Sequence, residues 1–298
     1  MQHIVLNFTF TDSEESAIEL IKTIGEMQAR SEGLRSLGKK IAFVPTMGYL
    51  HEGHLSLFRI GRRQGDHLVV SIFVNPAQFG PGEDLETYPR DFQRDMALSK
   101  EERVDIVFAP SEKELYLEKF QTYVSLEQLP KHLCGLSRPV FFRGVATVVC
   151  KLFNIIRPHV AVFGQKDYQQ LAVIRQMVRD LNLDIKIVGG PTVRETDGLA
   201  MSSRNSYLTP DQRLSALSLY RSLTEARQMV DGGVKEAAEI IAAATEWIHS
   251  QPGTTIDYIA ICDPETLDDM EIIDRPALMA LAVEVGTTRL IDNMILEP

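Results

Sequence analysis

Ile41-Ala42-Phe43-Val44-Pro45-Thr46-Met47-Gly48-Tyr49-Leu50-His51-Glu52-Gly53-His54-Leu55 is the stretch from which the rest of the chain is read. Ile41 to Val44 is a short apolar run of the kind that parallel sheets bury, and Leu55, Leu57, Phe58 and Ile60 then suit a helix beginning near Gly53. A strand that feeds a helix leaves unpaired N–H groups at the helix start, where the positive end of the helix dipole also attracts an anion such as phosphate. Gly53 lets a ligand approach the backbone closely. His51 and His54 flank it, placed to donate hydrogen bonds to phosphate oxygens as charge builds on them. A loop with two surface histidines is the plain alternative; the strand before it and the helix after it favour a nucleotide phosphate site.

The pattern outward to about residue 190 alternates short apolar runs with longer amphipathic stretches, which predicts parallel strands joined by crossover helices. Strands are expected at 41–44, 68–74, 106–108, 160–163 and 185–188, and helices at 13–31, 53–63, 91–102, 144–156 and 168–181. Ligands of such a sheet bind beyond the carboxyl ends of its strands. Three strand ends carry the residues with most chemistry: Thr46 to His54, Asn75 to Gln78, and Gly164 to Gln170. After Gly189-Gly190-Pro191 the character changes to a polar segment, two helices (210–230 and 234–250) and short strands (257–262, 280–285 and 288–292). The expected fold is α/β: a Rossmann-like parallel sheet domain over residues 1–192, then a smaller α+β C-terminal domain over 193–298.

The 298 residues, 44% hydrophobic and 24% charged, are those of an ordinary soluble globular protein with a proper core. A formal charge of -10 opposes nucleic-acid binding, which draws its affinity from Lys and Arg. Cys134, Cys150 and Cys262 are few and widely spaced, suggesting neither a disulfide framework nor a zinc site. With no leader-like N-terminus and no apolar run of about 18 residues, a reducing, cytoplasmic location without membrane is expected.

Gly33-Leu-Arg-Ser-Leu-Gly-Lys-Lys40 mimics a phosphate-binding P-loop, but it precedes a strand and ends in Lys40 where a Ser or Thr would hold Mg²⁺; it reads as a helix end with Gly38 as terminator. In Asn75-Pro76-Ala77-Gln78, the Gln78 carboxamide suits a ligand bearing hydroxyls and a carboxylate. The loop from Gly80 to Arg90 is a candidate cover, and its Glu83, Asp84 and Glu86 read as solvated. Gly164-Gln165-Lys166-Asp167 offers a cation for phosphate, with Asp167 as ribose ligand or helix cap, and Gln170 lies one turn on. Met201-Ser202-Ser203-Arg204 is a candidate anion clamp. Arg143 is the one polar position of interest on the apolar helix after Phe142. No carboxylate pair or histidine cluster has metal-cage spacing, so a metal is expected only as Mg²⁺ on a nucleotide.

Together, Pro45 to Gly48, His51 to His54, Val74 to Phe79, Tyr88 to Arg90, Phe142 to Val145, Gly164 to Gln170 and Gly198 to Asn205 resemble the pantoate-beta-alanine ligase (pantothenate synthetase) family of the nucleotidyltransferase superfamily with its His-x-Gly-His motif. The family usually has Glu at the position of Gln165. The resemblance implies ATP-dependent condensation of (R)-pantoate with beta-alanine to pantothenate through a pantoyl adenylate, with Mg²⁺ and a homodimer. It implies His51, His54, Lys166 and Arg204 as catalytic. It implies Met47, Gly48, Tyr49, Leu50, His51, Glu52, Gly53, His54, Gly164, Gln165, Lys166, Asp167, Val193, Met201, Ser202, Ser203 and Arg204 around ATP. Gln78 and Gln170 would hold pantoate, Gln78 also facing beta-alanine. His54 acts either as an acid or as a hydrogen-bond donor. The rival readings are a nucleotidyltransferase acting on a phosphate acceptor and a noncatalytic nucleotide sensor.

Overall fold

The computed structural model describes residues 18–298. Along the chain the elements are β1 (Glu19–Ile21), α1 (Ile24–Ser36), β2 (Ile41–Thr46), α2 (Glu52–Arg62), β3 (His67–Ile72), α3 (Phe92–Glu101), β4 (Ile106–Phe108), α4 (Glu112–Leu115), α5 (Cys134–Ser137), α6 (Phe141–Ile156), β5 (Val160–Gly164), α7 (Tyr168–Asp180), β6 (Lys186–Gly190), α8 (Pro210–Asp231), α9 (Ala237–His249), β7 (Thr254–Cys262), β8 (Ala277–Val285) and β9 (Thr288–Leu296).

The first six strands pair in parallel, in the order β1-β4-β3-β2-β5-β6. The order reverses between β2 and β5, and at such a switch point two neighbouring strands send their following loops apart, opening a crevice beyond their carboxyl ends. Alternation along each strand explains the two buried faces. Ile41 and Phe43 join α1, α6 and α7 in one apolar layer, while Ala42 and Val44 join Leu55, Leu57 and Phe58 of α2 in the other.

The antiparallel sheet β7-β8-β9 carries α8 and α9 on one face. Its central strand is buried on both: Met279, Leu281 and Val283 face these helices, while Leu278 and Ala280 join the core of the large sheet. Each such Met, Leu or Val side chain is worth about 1.5–3 kcal/mol when fully buried, so β8 binds the two sheets into one apolar body. Among the described residues, no helix is long and apolar enough to cross a membrane.

The Rossmann-like fold and the smaller C-terminal α+β unit are as the periodicity predicts, with one correction at the start. Of the helix expected at 13–31, residues 13–17 lie outside the described residues. Glu19–Ile21 is a strand, paired with Ile106–Phe108, and the helix starts at Ile24 and runs to Ser36. The helix start is set locally: Thr23 accepts from the Glu26 N–H at 3.4 Å, the start of a capped helix that the apolar spacing alone does not locate. Gly38, with φ of 70°, lies just beyond α1, in keeping with a helix end at the P-loop mimic.

Candidate active site

A cavity of about 850 Å³ opens at the switch point. One wall begins where β2 ends. Thr46 Oγ1 donates to the Ser71 carbonyl and accepts from the Gly48 N–H, and the chain then takes two left-handed residues, Gly48 at φ 81° and Tyr49 at φ 49°. A side chain at Gly48 would meet Asp95 Oδ2 at 2.8 Å. That carboxylate, buried on α3, accepts the N–H groups of Tyr49 and Leu50 at 2.8 and 2.7 Å, and Arg94 donates to the Leu50 carbonyl. Two donors on one carboxylate hold a turn that Tyr49 by itself disfavours.

His51 then caps α2, its ring 4.1 Å from that of His54 between centroids. The expected reason for Gly53 changes here: a Cβ would lie 2.9 Å from the His51 ring, so the glycine makes room for the histidine itself. The His51 N–H donates to His54 Nδ1 at 3.3 Å, which leaves the hydrogen of a neutral His54 on Nε2. Burial and the Lys166 charge lower the His51 pKa to about 4. Burial, then His51 and Lys166, hold His54 well below its usual value. Both rings are therefore neutral at pH 7, and His51 Nδ1 is buried without a protein partner.

The second wall is the turn after β5. Gly164, Lys166 and Asp167 line the cavity, and Asp167 makes no side-chain cap bond to α7, leaving its carboxylate for other work. The third wall is a narrow hairpin: the Met201 N–H bonds the Val193 carbonyl, so Val193 and Met201 reach the cavity side by side. Ser202 Oγ accepts from the Arg204 N–H, and Ser203 Oγ donates to the Tyr49 carbonyl, tying this segment to the histidine turn. At the far end Gln78 is buried, donating to Met47 Sδ and accepting from Asn75, and Gln170 lines the same space.

Of the residues singled out from sequence, Met47, His51, Gly53, His54, Gln78, Gly164, Lys166, Asp167, Gln170, Val193, Met201, Ser202, Ser203 and Arg204 line one cavity. Gly48, Tyr49, Leu50, Glu52 and Gln165 lie behind its walls: Leu50 is fully buried and Glu52 is drawn away to an ion pair with Arg59. Arg143 points to solvent over the Tyr123 ring. Of the acidic run at 83–86, Glu86 is exposed as expected, and the other two carboxylates need correction. Glu83 and Asp84 are half-buried and ion-paired with Arg138 and Arg204, because the loop folds across the cavity toward two cations. Asn75, Tyr88, Arg138, Asp257, Arg289 and Asn293 also line the cavity. Asn75 stood beside a proline at a strand end, a signal open to reading; the residues from β7 and β9 carry none, since only packing brings that sheet here. Among the described residues no group of three or more His, Cys, Asp and Glu converges in a way that could hold a metal ion.

The family profile described as Pantoate-beta-alanine ligase matches residues 19–295. A pantothenate synthetase of Desulfatibacillum aliphaticivorans is 63% identical over 281 residues, covering 94% of this chain and 100% of that protein. The crystal structure of pantothenate synthetase from Thermus thermophilus superposes with a TM-score of 0.89 at 46% identity, over 94% of this chain and 100% of that one. The pantoate-beta-alanine ligase from Francisella tularensis, solved with beta-gamma ATP and beta-alanine, gives 0.77 at 33% identity, over 94% and 98% of the two chains.

Proposed function

The chain belongs to the pantoate-beta-alanine ligase family, and from that premise we propose that it uses ATP to condense (R)-pantoate with beta-alanine through a pantoyl adenylate. One observation carries the mechanism: neutral His51 and His54, Lys166 and the Ser202-Ser203-Arg204 segment share a cavity with the carboxamides of Gln78 and Gln170. That a Francisella relative was solved with beta-gamma ATP and beta-alanine supports ATP and beta-alanine as ligands of this cavity.

In the first step the pantoate carboxylate, ionised at pH 7, attacks the α-phosphorus and pyrophosphate leaves; no general base is needed. What the site supplies is alignment and charge. Lys166 and Arg204 face the polyphosphate, Ser202 and Ser203 offer hydroxyls, and His54 donates from Nε2 as a neutral hydrogen-bond donor. Asp167 takes the ribose, Met47, Gly164, Val193 and Met201 frame the nucleoside, and Gln78 and Gln170 hold pantoate. Gly48, Tyr49, Leu50, Glu52 and Gln165 act at one remove by shaping the two turns. In the second step the free amine of beta-alanine, next to Gln78, attacks the acyl carbon and AMP leaves. Mg²⁺ arriving with ATP would offset its charge, and the Asp167 carboxylate, which lines the cavity without a capping bond, suits such a complex.

In this reading residues 1–192 form the ATP- and pantoate-binding domain, and 193–298 close over it and contribute Val193 and Met201 to Arg204, supported by the bond from Ser137 Oγ to Asp257 at 2.5 Å. A homodimer in a reducing cytoplasm, where the three cysteines stay free, completes the proposal. Transfer of a nucleotidyl group to a phosphate is the poorer reading, because Gln78 and Gln170 are neutral carboxamides and the nearby Arg138 is already paired with Glu83. The test is incubation with Mg²⁺-ATP and (R)-pantoate, with and without beta-alanine. Pyrophosphate with a bound adenylate, then AMP and pantothenate on adding beta-alanine, is the expected result; ATP binding without pantoate-dependent pyrophosphate would overturn it.

A further inference from the structure

We infer that Asn293, on β9, is a positioning residue for Lys166, so that the lysine's place in the cavity is set from the antiparallel sheet. The Asn293 Nδ2 donates to the carbonyls of Gln165 and Lys166, at 3.1 and 2.8 Å. With Asp167 those two residues form a single 3₁₀ turn between β5 and α7. A turn that short has few bonds of its own to hold its orientation.

The chemistry of the amide matches the task. Two carbonyl oxygens converge on one nitrogen that carries two hydrogens, so the primary amide satisfies both. The residue before it is equally committed. Asp292 is buried, accepts the Asn293 N–H at 2.8 Å, and takes two bonds from Arg194, at 2.5 and 2.9 Å. Arg194 follows Val193 in the hairpin that forms the third wall and stacks over Tyr220 at 4.1 Å. Asp292 and Asn293 thus hold two walls of the cavity from one point on β9: the hairpin through Arg194 and the lysine turn through its carbonyls. A carboxylate at 293 would set acceptors against acceptors and draw the Lys166 ammonium toward itself.

The inference rests on the reading that Lys166 meets the polyphosphate. The experiment compares Asn293→Ala, the isosteric Asn293→Asp and Lys166→Ala in the full chain. Pantoate-dependent pyrophosphate release is followed with ATP varied, KM for beta-alanine is taken separately, and Tm is recorded. Asn293→Ala is expected to raise KM for ATP or lower the rate of adenylate formation by about 10-fold, the scale of lost hydrogen bonds to two part-buried carbonyls. KM for beta-alanine should stay within about twofold, and Asn293→Asp should be worse than Asn293→Ala despite its matching shape. If Lys166→Ala abolishes adenylate formation while both Asn293 variants stay within about twofold of the parent, the inference fails and the phosphate reading stands. If Lys166→Ala forms adenylate at the parental rate, the phosphate reading fails and the inference with it. A fall in Tm with equal loss for both substrates would make Asn293 a general structural residue and would also overturn the proposal.

Discussion

Asp84 grips Arg204 with both carboxylate oxygens, at 2.9 Å to Nε and 2.8 Å to Nη2. The arginine proposed to meet polyphosphate is therefore already neutralised by the loop that crosses the cavity, and Tyr207 reinforces the crossing by donating to the Thr87 carbonyl at 3.1 Å. A nucleotide that engages Arg204 through the same Nε and Nη2 edge has to displace this carboxylate.

Asp84→Asn keeps the loop's shape and removes the competing charge. Partly exposed pairs are worth about 1 kcal/mol, so ATP should bind roughly 3- to 10-fold more tightly to the variant by isothermal titration. Unchanged or weaker binding would mean that Asp84 and ATP do not compete for the guanidinium.

His54→Ala should lower turnover by about 10²-fold while the circular dichroism spectrum is kept, from the usual size of a proton-donating or electrostatic contribution. Parental activity in this variant would remove His54 from the chemistry.

The two histidines also give stability a pH dependence. In the unfolded chain each ring titrates near 6.5, whereas burial lowers His51 to about 4 and His54 well below 6.5. Between these values the unfolded chain holds protons that the folded one refuses, so the stabilisation is complete above pH 6.5 and is lost as pH falls toward 4. The double variant His51→Gln/His54→Gln should show a shallower fall in Tm across that window than the parent; parallel curves would contradict the assignment.

Gly144→Ala tests how Gln78 is held. The added Cβ would lie 2.2 Å from the Ala77 carbonyl oxygen and 2.6 Å from Gln78 Cα, backbone that α6 packs against. Overpacking of this kind costs about 1–3 kcal/mol, so urea unfolding should shift by that amount, with a raised KM for pantoate. An unshifted KM would separate Gln78 from pantoate.

Asp95→Asn replaces one acceptor by an NH₂ facing a backbone N–H. Since Asp95 is 1% exposed, the clash should cost about 1–3 kcal/mol in denaturant unfolding. Because the bonded N–H groups belong to Tyr49 and Leu50, just ahead of His51, activity should fall by roughly tenfold as well. Loss of stability with full activity would show the histidine turn to be self-supporting.

What could be read from the sequence is local and periodic. Continuous apolar runs at β2, β3 and β5 specify strands buried on both faces, and the stripe of Val145, Val149, Leu152 and Ile156 specifies a helix packed into the core, because each element buries its apolar residues with its own period. His51, Gly53 and His54 were legible because one strand–helix junction holds them all. β1 was missed because a three-residue edge strand owes its identity to Ile106–Phe108, far along the chain.

Tertiary structure alone decided the rest. No periodicity says that Asp84 meets Arg204 across 120 residues, that Asn293 reaches the carbonyls of Gln165 and Lys166, or that β8 is buried on both faces. Side-chain patterning encodes which face of an element is apolar, and short-range motifs encode where a turn can bind an anion. Which distant element covers that face, and which charge reaches that turn, follows only when the packing of whole layers has fixed their positions in space.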